Sequence, residues 1–148
     1  MEIKIENQKL APAINLLYGL SLKGKQSRHR SKFVRMLQEK FNEFIEDEKQ
    51  LRKEECNLDE KGEPKTFIKN GVKTLDVKDL SHFEKVKNEL YKEKVVIAGA
   101  EKETAMQTVH KVLDSLDKEL SNQDADAYDY LLDQFETADE AKKEGKKK

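Results

Sequence analysis

An apolar stripe between residues 33 and 51 sets the architecture of this chain. Phe33, Met36, Leu37, Phe41, Phe44, Ile45 and Leu51 recur mostly three or four residues apart. Side chains at that spacing share one side of a helix. The stripe predicts a helix from about Ser27 to Cys56, with Ser27 placed to cap it. The opposite side is charged. It carries a favourable Glu48–Arg52 spacing and an unfavourable Lys49–Lys53 one.

Shorter elements flank this helix. Residues 2–6 alternate, with Ile3 and Ile5 on one face and Glu2, Lys4 and Glu6 on the other, as in a half-buried strand. Asn7 suits an N-cap. Leu10, Ala13, Ile14, Leu17 and Leu20 predict a helix from about Gln8 to Gly19, with Pro12 in its first turns. Residues 21–27 read as a loop, and residues 57–64 as a connection. Thr66–Lys69 and Val72–Leu75 flank Asn70-Gly71, the signature of a type I′ hairpin. The strand at 3–5 and the run Val95-Val96-Ile97 could extend that hairpin into a small sheet.

Ser81-His82-Phe83-Glu84 matches a capping box, opening a helix to about Lys94 that buries Phe83, Val86, Leu90 and Tyr91. A helix over about 102–120 turns Ala105, Met106, Val109, Val112, Leu113 and Leu116 inward. A last one over about 124–138 buries Tyr128, Leu131, Leu132 and Phe135. The expected fold class is α+β, mainly α, with about five helices, a long second helix, and a small β-hairpin or short sheet. Residues 1–138 form one mainly helical domain, and 139–148 a Lys-rich disordered tail.

Hydrophobic residues are only 36% of the chain and charged residues 40%. Periodic placement of the apolar residues argues against disorder and for helices with highly charged outer faces. No apolar run reaches the length of a membrane span, so no membrane association is expected. The alternating N-terminus is unlike a secretory signal. Cys56, the single cysteine, has no internal disulfide partner, which points to a reducing compartment.

Net charge is -1, but its distribution is segmental. Residues 21–35 hold six basic side chains (Lys23, Lys25, Arg28, Arg30, Lys32, Arg35) and His29, with no acid. Residues 36–60 hold four basic and nine acidic side chains. Residues 114–140 hold ten acids against Lys118, and residues 141–148 five Lys against one Glu. Cations at the start of a helix oppose its dipole, so the first cluster breaks a local rule and points to function. Three readings compete for Lys23, Lys25, Arg28, His29, Arg30, Lys32 and Arg35. They bind an acidic protein surface, including the acidic face of helix 124–138 in this or a neighbouring molecule, or join two copies by meeting the acidic 114–140 segment of another chain. They bind nucleic-acid phosphates. Or they are a solvated basic stretch. No aromatic residue lies within 21–32, which disfavours base stacking. Arg28 and Arg30 are the expected anchors, because a guanidinium bonds carboxylate or phosphate in bidentate fashion.

Signals for chemistry are weak. Gly19–Gln26 approaches a phosphate-binding loop, yet Gln26 lacks the hydroxyl that would ligate Mg²⁺, and an amphipathic helix precedes it rather than a buried strand. His29, His82 and His110 have no metal-ligand spacing and Cys56 no cysteine companion. Asp124-x-Asp126-x-Tyr128-Asp129 starts like a Ca²⁺ loop but lacks Gly at its sixth position and Glu at its twelfth. The carboxylates show no spacing that selects acid–base work. No cofactor, metal or catalytic residue is expected.

The opening Met1-Glu2-Ile3-Lys4-Ile5-Glu6-Asn7 with Leu10, the stretch Leu20-Ser21-Leu22-Lys23-Gly24-Lys25-Gln26-Ser27-Arg28-x-Arg30, and Gly62-Glu63-Pro64-Lys65 resemble DUF1617. This is a family of small uncharacterised proteins of tailed phages and prophages of Gram-positive bacteria. The resemblance covers Met1 to about Ala138. It implies a viral protein acting in the cytoplasm of the infected bacterial host, and supplies no reaction, catalytic residue or cofactor. The expected function is that of a non-catalytic phage accessory protein working by stoichiometric protein–protein binding, as a host-takeover or anti-defence factor. A virion or tail assembly accessory and a nucleic-acid binder are the alternatives.

Overall fold

The computed structural model describes residues 1–146, with side chains through Glu144. Its backbone runs β1 (Glu2–Glu6), α1 (Asn7–Tyr18), α2 (Gly24–Glu55), β2 (Thr66–Lys69), β3 (Val72–Leu75), α3 (Leu80–Lys92), β4 (Lys94–Ala98), a 3-10 turn (Ala100–Lys102), α4 (Glu103–Asp114) and α5 (Asn122–Lys146). The fold is α+β and mainly α, with five α-helices and two two-stranded antiparallel sheets among the described residues.

The chain packs as two compact units, where the sequence reading treats residues 1–138 as one domain. Residues 1–41 with the chain from Lys94 onward form the first, and Asn42–Glu93 the second. At 32 residues, α2 is long enough for its two halves to serve different units.

In the first unit β1 pairs with β4, with Ile3 opposite Ile97 and Ile5 opposite Val95. Alternation turns Ile3, Ile5 and Ile97 inward, where all three are buried. The core continues through Leu10, Ile14 and Leu17 of α1, Phe33, Val34 and Leu37 of α2, Met106, Val109 and Leu113 of α4, and Leu131 and Phe135 of α5. Each such side chain contributes roughly 1.5–3 kcal/mol. The Phe33 and Phe135 rings meet at 5.6 Å, and His110 stacks on Phe135 at 5.2 Å.

Several boundaries differ from expectation for local reasons. Extended Glu6 occupies the N-cap of α1, and Asn7 is buried inside the helix instead of capping it. Helix α2 starts at Gly24, not Ser27. Gly24 has φ +54, so a residue without a Cβ turns the chain into the helix there. Helix α4 ends at Asp114, short of Leu120, where Ser115 Oγ donates back to the Lys111 and Val112 carbonyls. Leu116 and Leu120 still pack on the core.

Helix α5 runs through Lys146 rather than ending near Ala138, so most of the expected disordered tail is helical. Composition hid the contacts that hold this extension. Ala138 is buried, Asp139 faces His110 Nδ1 at 3.4 Å, and Lys142 reaches Glu103 at 3.3 Å. The last two lysines of the tail lie outside the described residues.

In the second unit β2 and β3 form the expected hairpin, Lys69 opposite Val72, with φ +52 at Asn70 and +77 at Gly71 as a type I′ turn demands. Among the described residues the hairpin does not join β1 and β4, which pair with each other. Instead its base is tied to α2. Cys56 and Val77 form a β-bridge, and Lys78 N–H donates to the Glu55 carbonyl. The Ser81–Glu84 capping box does not form. Asp79 caps α3, its carboxylate accepting from His82 N–H at 3.2 Å, so the cap lies two residues earlier. Phe83 is buried, and Tyr91 meets Phe44 edge-on at 5.3 Å.

Candidate functional site

The structure sorts the basic cluster into two groups. Lys25, Arg28, Lys32 and Arg35 stand three, four and three residues apart on α2, and all are exposed. That spacing places them along one side of the helix over about 15 Å. None of the four makes an ion pair or side-chain hydrogen bond among the described residues. Lys23, also exposed, precedes the helix in the short loop after α1. The first turn of α2 contains no acid, so the positive end of the dipole adds to the field of these cations.

His29 and Arg30 belong elsewhere. His29 Nδ1 lies 2.7 Å from Thr108 Oγ1 of α4. Arg30 Nη1 donates to the carbonyls of Leu17 at 2.8 Å and Leu20 at 2.7 Å, with Nη2 3.4 Å from Ser27 Oγ. Its Nε is buried without a hydrogen-bond partner. A guanidinium at the end of α1 adds a second donor to the Leu17 carbonyl, which also accepts from Leu20 N–H at 3.3 Å, bonds the Leu20 carbonyl just beyond the helix, and suits the negative end of the helix dipole. Arg30, expected from the sequence as a binding anchor, uses its Nη1 donors to hold α1 against α2. Charge counting cannot make this distinction, since it is blind to which side of α2 each residue occupies.

A second stripe, of opposite sign, appears on α5. Asp126, Asp129, Asp133, Glu136 and Glu140 stand three, four, three and four residues apart, all exposed and without ion pairs among the described residues. The sequence leads to the expectation of an acidic face on this helix, and the helical spacing gives the residues that compose it. The hairpin surface was missed. Phe67, Ile68 and Val72 are 46%, 70% and 64% exposed, beside Lys65, Lys69 and Lys73. The absence of any acid within 64–75 was the available signal.

The other motifs of the sequence fall on ordinary structural elements. Gly19 ends α1 and Gly24 starts α2, so the glycine–lysine stretch joins two helices. Asp126 and Asp129 are helical residues of α5. Cys56 is buried, and burial, then the nearby Asp76 charge, push its thiol pKa up, away from thiolate chemistry. Tyr91 donates its hydroxyl to Glu48, which also pairs with Arg52 at 2.8 Å. Burial, then that bond, push the Tyr91 pKa up to about 12. His82 Nδ1 lies 2.8 Å from Glu55, whose carboxylate holds the imidazole pKa above its usual range. Lys4, Lys94, Gln134, Thr137, Ala138 and Lys142 line an open groove in the first unit. No helix of the described residues is long and apolar enough to cross a membrane.

No curated protein and no solved structure matches the chain. A family model does, over residues 1–144, nearly the whole length: Protein of unknown function (DUF1617). The match takes in both stripes, the hairpin and the helices that carry them, and on it the chain belongs to the DUF1617 family.

Proposed function

We propose that this protein is a non-catalytic phage accessory protein that binds an acidic protein surface stoichiometrically through the Lys25–Arg28–Lys32–Arg35 side of α2. One observation carries the reading: four exposed cations in helical register, none paired with an acid among the described residues, the first of them in the opening turn of α2 where a cation opposes the dipole. A helix side is a rigid platform, and arginine forks suit carboxylates. The phage setting, action in the cytoplasm of an infected bacterium, and the host-takeover or anti-defence role rest on the sequence resemblance. A virion-assembly role uses the same surface.

The test is a crosslinking pulldown from phage-infected bacteria with wild type and Arg28→Glu/Lys32→Glu, the bound complex weighed by native mass spectrometry. A protein partner at fixed stoichiometry that the variant loses is the expected result. Equal capture by both forms overturns the assignment. Retention on DNA or RNA that falls steeply with salt and disappears in the variant replaces the protein partner by nucleic acid.

A further inference from the structure

We propose that a second copy of this chain docks on the basic side of α2 through the acidic stripe of α5. This deepens the reading above, since it names an acidic surface that fits the same site. The two stripes match in sign, spacing and length. Four cations at steps of three, four and three residues meet five carboxylates at steps of three, four, three and four. The stripes extend about 15 Å and about 21 Å along their helices, so the shorter lies wholly within the longer. Both helices present these residues to solvent, and no ion pair joins the stripes within one molecule. Two helices laid side by side with opposite charges at such positions exchange ion pairs as the flanking positions of coiled coils do.

Such an interface is built from exposed charges, so its strength depends on ionic strength. Charges are screened beyond about 30 Å at 0.01 M salt and already beyond about 3 Å at 1 M. Association is expected at low salt and dissociation at high salt. A basic platform that also binds its own chain has a built-in competitor, so an acidic partner protein would have to displace the second copy.

The experiment is sedimentation velocity at about 0.02 M and about 0.5 M NaCl. It uses the wild type, Arg28→Glu/Lys32→Glu, Asp129→Lys/Asp133→Lys, and an equimolar mixture of the two variants. All four positions are exposed, so the folded core is untouched. The wild type is expected to associate at low salt and to be monomeric at high salt. Each variant alone is expected to be monomeric, its dissociation constant raised about tenfold or more by the like charges brought together. The mixture is expected to restore a heteromeric complex, because the reversed stripes are complementary again. A wild type monomeric at both salts, or a mixture that stays monomeric, overturns the proposal. Either result leaves the pulldown to decide the partner-binding reading separately. Conversely, a restored heteromer with unchanged capture of a host protein upholds self-docking and overturns that reading.

Discussion

Arg30 is where the structural and the surface-binding readings of the basic cluster make opposite predictions. Truncation to alanine removes two charge-assisted hydrogen bonds, to the Leu17 and Leu20 carbonyls at 2.8 and 2.7 Å. At about 1.5–3 kcal/mol each, the pair sets an upper bound of about 6 kcal/mol. Two effects lower it. Water can reach carbonyls around a half-exposed side chain, and the buried Nε, which has no partner, no longer costs about 1–3 kcal/mol of desolvation. The expected net loss is about 2 kcal/mol, a fall in Tm of roughly 4–8 °C for a chain this size. Arg30→Lys is expected to recover part of the loss, because both bonds leave from the one nitrogen Nη1 and an ammonium also offers more than one N–H. The assay is thermal unfolding followed by circular dichroism at high salt, where any self-association is suppressed. An unchanged Tm in Arg30→Ala together with loss of partner binding would refute the structural assignment and restore Arg30 as an anchor. The converse pair, Arg28→Ala and Lys32→Ala, is expected to leave stability within about 0.5 kcal/mol of wild type.

Phe135→Ala removes a fully buried ring that meets Phe33 and His110, and is expected to cost about 3–5 kcal/mol in urea denaturation. NMR titration of His82 is expected to show a midpoint above the usual histidine value, returning toward it in Glu55→Gln. The folded-state pKa is raised, so the contribution is complete below about pH 6.5 and fades as pH rises through the higher folded value. In spectrophotometric titration Tyr91 is expected to ionise near pH 12, after an ordinary tyrosine near pH 10. Folding favours the protonated phenol, so stability falls between those values, and Glu48→Gln narrows the gap without closing it, because burial is the larger cause.

Local rules were enough wherever the cause of an element lies within a few residues. The 33–51 stripe determined α2, Asn70-Gly71 determined the turn between β2 and β3, and the alternation around Ile3 and Ile5 determined β1. The excess charge of the 21–35 segment was equally plain, since it needs only counting. Capping went to Asp79 instead of Ser81 because several short polar residues near a helix start can each satisfy the same free N–H groups. The pairing of β1 with β4 joins residues some ninety positions apart, which no local pattern encodes. Helix α5 outlasts its expected end because His110 and Glu103, distant in sequence, meet Asp139 and Lys142. The division of the basic cluster followed the same logic. Composition made 21–35 positive. Packing of α2 against α1 and α4 then turned Arg30 and His29 inward and left Lys25, Arg28, Lys32 and Arg35 in water. Charge is a property of the residue, but availability depends on which neighbours occupy each side of the helix.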